Sequence, residues 1–224
     1  MRYDERVRAG LPLLPVIVAF AAWTAQTGAQ VPTAHARLFP PEQLNNLEGP
    51  DRDEWQQPDR VMDALGIADG SRVADLGAGG GWFTERLAHR VGPNGAVFAE
   101  DIQPEMIDAI IRRKGSRSLM NVNPILGTAD DPRLPPGLQA VLMVDTYPQL
   151  QHPVSVLKHV AKALLPNGTL GIVDFKPDGG GGPGPPKEER LDPRVIVRDA
   201  ATAGLTLRKH ETFLRYQYLL VFGK

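Results

Sequence analysis

The 224-residue chain contains no cysteine. There is therefore no disulfide framework to read, and an oxidising compartment is permitted without being required. Charge of one sign is also missing. The 25 basic and 26 acidic residues leave a net charge of −1, which provides no electrostatic footprint for nucleic acid. No run of like charge marks a tail or a membrane-surface patch, and no internal repeat is present. The longest apolar stretch, Leu11 to Trp23, is shorter than the ~20 residues of a spanning helix, and Pro12 and Pro15 interrupt it.

Glycine and proline are plentiful, at 23 and 21 residues, and imply many loops. At this length the chain suits one α/β domain with a modest N-terminal extension. In that extension Arg2, Arg6 and Arg8 precede the apolar stretch, and small residues lead to a possible cut after Ala29. A second small-x-small site stands at Ala34-His35-Ala36. This is the pattern of a secretory signal, so residues 1–36 read as signal peptide and leader and 37–224 as the functional domain. Export, to the periplasm in a bacterium, is the expectation. The alternative is a cytoplasmic protein with an unstructured N-terminus. No stable membrane span is expected in the mature chain, and oligomeric state is not legible.

Val73-Ala74-Asp75-Leu76-Gly77-Ala78-Gly79-Gly80-Gly81-Trp82 reads as a buried strand, a glycine loop and a helix start. Glycine there lets the chain turn sharply and lets a ligand lie against main-chain N–H groups. Such loops hold nucleoside-bearing cofactors at the carboxyl end of a parallel sheet. The spacing does not suit a nicotinamide dinucleotide, whose G-x-G-x-x-G would need glycine at Trp82 or Thr84. The D-x-G-x-G-x-G pattern instead resembles motif I of the class I S-adenosylmethionine-dependent methyltransferases.

Four further segments resemble that family in order. Val97-Phe98-Ala99-Glu100-Asp101-Ile102-Gln103-Pro104-Glu105-Met106 reads as a second strand ending in acid. The resemblance places the ribose ligand at Asp101, with Glu100 turned to the opposite face. The competing role for Asp101 is an N-cap of the next helix. Ile125-Leu126-Gly127-Thr128-Ala129-Asp130-Asp131 resembles the adenine-edge segment, with Thr128 where relatives often carry Asp. Ala140 to Asp145 reads as a fourth strand covered on both faces. Ala163-Leu164-Leu165-Pro166-Asn167-Gly168-Thr169-Leu170-Gly171-Ile172-Val173-Asp174-Phe175 resembles the step into strand five and closes on an acid, with Asn167 able to take a left-handed turn as Gly does.

The resemblance implies S-adenosyl-L-methionine as cofactor, held by Asp75, Gly77, Gly79, Gly81, Asp101, Ala129 and Asp130. The strand and helix order implies a doubly wound, Rossmann-like, seven-stranded sheet, mostly parallel. Leu205–Leu214 and Tyr216–Phe222 are joined by a turn too short for a crossover helix, so the last strand is expected antiparallel. Expected helices include Arg60–Leu65 with Asp59 as N-cap, and Pro104 to about Lys114.

For the acceptor, strand four exits into Asp145-Thr146-Tyr147-Pro148-Gln149. Asp145 is the candidate for orienting the acceptor or taking its proton, and Tyr147 for lining its pocket. A methyltransferase subgroup carries D-x-Y-H-H here, and Pro148 and Gln149 replace both histidines. His152 reads as a helix-start residue, and the remaining histidines lack ligand spacing, so no metal site is expected. Trp55 could serve as a lid or as a hydrophobic staple. The Gly/Pro run at 177–186 could be a lid or a linker, and Arg190 after it could meet a carboxylate or solvent. The leading expectation is a methyltransferase acting on a small-molecule acceptor. The alternative is an exported, non-catalytic module that binds S-adenosylmethionine or a nucleoside, since export separates the domain from cytosolic cofactor.

Overall fold

The computed structural model describes residues 38–179 and 182–224, all within one compact unit. The expected signal segment lies outside the described residues. Five strands follow in the order the apolar periodicity implies, with a helix between each consecutive pair except the third and fourth. They are β1 (Arg72–Leu76), β2 (Ala96–Asp101), β3 (Val122–Leu126), β4 (Leu138–Val144) and β5 (Leu164–Phe175). The helices are α1 (Arg52–Gln56), α2 (Pro58–Ala64), α3 (Trp82–Val91), α4 (Pro104–Arg117), α5 (Pro153–Ala163) and α6 (Pro193–Thr202). Two last strands, β6 (Thr206–Glu211) and β7 (Gln217–Gly223), close the chain. Proline opens α2, α4, α5 and α6, where its missing N–H would be unpaired anyway. Part of the proline excess therefore starts helices and does not mark loops.

The seven strands lie in the order β3-β2-β1-β4-β5-β7-β6. β1 to β5 pair in parallel, and β7 runs antiparallel to both β5 and β6. This is the expected doubly wound sheet with its reversed last strand. One face is covered by α2, α3 and α4 through residues such as Met62, Leu87 and Ile110. The other is covered by α5 and α6 through Leu157, Val160 and Ile196. Strand order reverses between β1 and β4, and the crevice at such a point is where open α/β sheets bind ligands.

Three local expectations are corrected. Asp59 is not the cap of α2. That helix opens at Pro58 behind Gln57, and Asp59 lies inside its first turn with Oδ1 2.9 Å from Arg90. Helix α4 runs through Gly115 to Ser118, which takes the left-handed conformation with φ 56° and ends it. No left-handed turn forms at Asn167. Strand β5 starts already at Leu164, which pairs with Leu138 across a bulge. Gly168 is needed there for close approach, since a Cβ would stand 2.9 Å from the Leu138 carbonyl oxygen. Among the described residues no helix is long and apolar enough to cross a membrane.

Candidate functional site

A cavity of about 740 Å³ opens over the carboxyl ends of β1, β2, β4 and β5. Its floor is the loop from Leu76 to Gly80. Gly77, Gly79 and Gly81 have φ of 72°, 54° and 82°, the region glycine enters without strain. At Gly77 a side chain is excluded twice, because a Cβ would also lie 2.2 Å from Thr146 Cγ2. Gly81 caps α3 and does not line the cavity.

Asp101 stands on the cavity wall at the end of β2. Its Oδ2 accepts from Gly79 N at 2.9 Å and its Oδ1 from Gln103 N at 3.0 Å. The N-cap position of α4 belongs to Gln103, so Asp101 ties the glycine loop to the β2 exit. Each oxygen keeps acceptor capacity for a further donor. Burial raises its pKa, and the backbone bonds from Gln103 and Gly79 oppose the rise. Glu100 also reaches the cavity, and its Oε2 accepts from Gly77 N at 3.3 Å. Burial first, then the Asp101 charge, push Glu100 up to about 8.

Asp75 does not line the cavity. It is buried beneath the loop and accepts from Thr84 Oγ1 at 2.6 Å, joining β1 to α3. Burial pushes it up to about 6. Thr128 and Ala129 border the cavity, whereas Asp130 faces solvent with its Oδ1 3.8 Å from His152 Nε2. Hydrogen bonds between Thr128 and Asp131 close that turn and direct Asp130 outward. His152 occupies the N-cap position of α5.

At the exit of β4, Asp145 lines the cavity in a left-handed conformation with φ 54°. A buried amide relay holds it: Gln56 Nε2 donates to Gln217 Oε1 at 3.0 Å, and Gln217 Nε2 donates to Asp145 Oδ1 at 2.6 Å. Burial pushes Asp145 up to about 6, and the positive charge of Arg52 opposes this. Asp174, near the end of β5, reaches the same wall. Tyr147 does not. Its ring is buried in the layer of α5 and α6, and its hydroxyl donates to Asp199 Oδ2 at 3.0 Å. The residues after Asp145 turn into a short 3-10 helix, which swings Tyr147 to the far face of the sheet.

Two segments cover the cavity. Residues 38–55 form one side, with Phe39, Leu44, Arg52 and Trp55 on the lining. Arg113 from α4 binds the Gly80 carbonyl at 2.8 Å and Glu85 at 2.9 Å, and it also pairs with Glu48 of the cover. Arg86 stacks on Trp82 at 3.4 Å from the ring centre and grips both Asp53 oxygens. The second cover is the Gly/Pro run, of which Pro183 to Pro186 line the cavity. Arg190 staples that run, donating to the carbonyls of Gly179 at 2.6 Å and Pro185 at 2.9 Å. Trp55 lines the cavity and also packs on Phe175 and Tyr216, with ring centres 6.2 and 6.3 Å away. Neither the cover at residues 38–49 nor Asp174 was singled out in the sequence. The acid closing the strand-five motif was the available signal for Asp174. Among the described residues no group of three or more metal-ligating side chains converges.

A sheet in this order, with a glycine loop and an acid meeting at its switch point, defines the class I methyltransferase fold. Residues 73–168 match the family model described as a methyltransferase domain. The match and the fold together make the chain similar to the class I S-adenosylmethionine-dependent methyltransferases. It is 30% identical over 135 residues to nocamycin O-methyltransferase of Saccharothrix syringae, an alignment spanning 58% of this chain and 44% of that protein. It is 28% identical over 122 residues to a ubiquinone/menaquinone biosynthesis C-methyltransferase of Pseudomonas fluorescens, spanning 51% and 46%. The chain thus spans less than half the length of these curated relatives. A solved S-adenosylmethionine-dependent methyltransferase from Aquifex aeolicus superposes with a TM-score of 0.77 at 26% identity. That match covers 82% of this chain and 98% of the other.

Proposed function

We propose that this protein transfers a methyl group from S-adenosylmethionine to a small-molecule acceptor. The observation that carries the reading is the joint placement of the glycine loop and Asp101 on one wall of a covered cavity, with Asp145 on the same lining. The residues present fit the cofactor. Cβ-free backbone at Gly77 and Gly79 allows close approach, Asp101 has acceptor capacity for ribose hydroxyls, and Thr128 and Ala129 suit the adenine edge. When bound, the cofactor supplies an electrophilic methyl group.

The protein's part is to position the acceptor and to keep water out, which the two covering segments support. Asp145, held by the Gln56–Gln217 relay, is the candidate to take a proton from the acceptor. A group poised near 6 is ionised at neutral pH and still basic enough to serve. The enclosed, largely apolar lining favours a small acceptor over a macromolecule.

The test is calorimetric titration with S-adenosylmethionine and S-adenosylhomocysteine, beside an Asp101→Ala variant. Binding by the parent protein and at least about tenfold weaker binding by the variant is the expected result. A folded protein that binds neither compound would sink the reading. Export is a separate proposal, carried by the basic and apolar pattern of residues 1–36. Cell fractionation of the native producer, with the mature N-terminus sequenced, decides it.

A further inference from the structure

A row of polar side chains runs from the cover to Asp145, and its head carries a positive charge. Arg52 and Gln56 are the first and last residues of α1, one turn apart and therefore on one face. Arg52 lines the cavity, with its guanidinium carbon 4.2 Å from the Trp82 ring centre. Its Nε donates to Gln56 Oε1 at 2.5 Å. Gln56 Nε2 then donates to Gln217 Oε1 at 3.0 Å, and Gln217 Nε2 to Asp145 Oδ1 at 2.6 Å. Both amides are 0% exposed, so water cannot stand in for a lost partner. Asp145 itself keeps partial exposure on the cavity lining.

The direction of this row is not free. A side-chain amide has a donor end and an acceptor end, and in isolation it could be turned either way. A guanidinium has donors only. With Arg52 at the head, Gln56 must turn its oxygen toward Arg52 and its nitrogen onward. Gln217 is then forced the same way, and Asp145 Oδ1 receives an N–H. Reversal would set N–H against N–H at Arg52 and leave buried donors unmet. At the far end the carboxylate is the form that accepts, and a hydrogen bond to the charged form favours ionisation. Successive bonds in one direction also polarise one another. Burial raises Asp145, while the Arg52 charge, then Gln217, then Gln56, lower it. From the sheet, Asp174 on β5 and Tyr218 on β7 both feel the Asp145 charge. Asp75 and Glu48 share the field of Arg52.

Resting on the reading of Asp145 as the group that takes the acceptor's proton, we propose that Arg52 is a positioning residue for it. Arg52 sets the polarity of the Gln56–Gln217 relay and thereby holds Asp145 Oδ1 as a hydrogen-bond acceptor, which keeps the carboxylate ionised. The head of the relay lies on the cover, and its far end lies at the exit of β4. Seating of α1 over the cavity and ionisation of Asp145 are therefore linked.

The experiment follows the aspartate carboxyl carbons of the full, isotope-labelled chain by NMR as pH is varied, with no cofactor or acceptor present. Asp145→Asn assigns the Asp145 signal. In the parent, Asp145 should titrate at about 6, and the side-chain amide signals of Gln217 should move with the same midpoint. Arg52→Met should raise that midpoint by at least about one pH unit. Gln56→Leu cuts the relay and keeps the guanidinium. Added to Gln56→Leu, Arg52→Met should move the midpoint by less than about half as much as it does alone, a coupling that charge acting through space does not produce. Equal shifts in the two backgrounds, or a midpoint that Arg52→Met leaves unmoved, would overturn the proposal. So would Gln217 amide signals that ignore the Asp145 titration in the parent, a result that needs no variant to fold. S-adenosylhomocysteine binding is a separate readout. Its failure strikes the methyltransferase reading, while the cofactor-free titrations decide Arg52.

Discussion

Glu100 and Gly77 carry the two sharpest tensions between stability and site. Glu100 ionises near 4.5 in an unfolded chain and only at about 8 in the fold, because burial and the Asp101 charge disfavour its carboxylate. The folded state therefore holds this proton over a range where the unfolded state has lost it. Its contribution to stability is complete below about 4.5 and declines as pH rises toward 8. Glu100→Gln removes that slope. Unfolding free energies from urea titration should rise in the variant relative to the parent at the alkaline end, by on the order of 5 kcal/mol, and differ little in acid. At Gly77, Ala would face both a φ of 72° and a Cβ 2.2 Å from Thr146. Gly77→Ala should cost at least about 1–3 kcal/mol in thermal unfolding and weaken S-adenosylhomocysteine binding in the same preparation.

Among the elements, the cover over the cavity is held by few, identifiable contacts. Arg113 joins Glu48 of the cover, the Gly80 carbonyl of the loop and Glu85 of α3 at one guanidinium. It is about one-fifth exposed, so solvent screens these contacts only in part. Arg113→Ala should leave the sheet intact and free residues 38–50. Limited proteolysis should then cut that stretch first, and cofactor affinity should fall by up to about tenfold. The Arg86–Asp53 grip lies nearer to solvent, with Asp53 62% exposed. It contributes less, below about 1 kcal/mol. The second cover depends on Arg190, whose donors go to backbone carbonyls of the Gly/Pro run. The prolines and glycines that read equally as a lid or a linker are folded onto Phe175 and Tyr216 by that staple.

For the whole molecule, the reversed β7 matters as much as the glycine loop. It pairs with β5 over seven residues and places Gln217 against Asp145. All its residues are buried, and Phe222 belongs to the layer with α5 and α6. Phe222→Ala should destabilise the domain by about 3–5 kcal/mol in chemical denaturation, with one cooperative transition. Cofactor binding by the remaining folded molecules should be unchanged, because the side chain lies outside the cavity lining. That separates it from Gly77→Ala, which acts on both quantities.

The succession of strands along the chain, the reversed last strand and the position of Asp101 at a strand exit were legible in the chain itself. Apolar runs of strand length, acids at strand ends and positive-φ glycines are local signals, and each needs only its neighbours in sequence to be read. The alternation of side chains along β2 singled out Asp101 over Glu100, although both reach the cavity. Asp75, Tyr147 and Asp130 show where local reading ends. Each has the right chemistry near a strand exit, and each is turned from the cavity by a partner distant in sequence or by a turn: Thr84, Asp199, and the Thr128–Asp131 closure. The cover at residues 38–49 and the amide relay from Gln56 through Gln217 to Asp145 were invisible for the same reason, although Trp55 was readable as a lid. They join segments up to 161 residues apart. The sequence by itself determined the class of fold and the glycine loop, because those are written in periodicity and backbone conformation. Only the tertiary structure decided which acids face the cavity and which lie buried behind it, because that depends on strand pairing and on the elements packed against each exit.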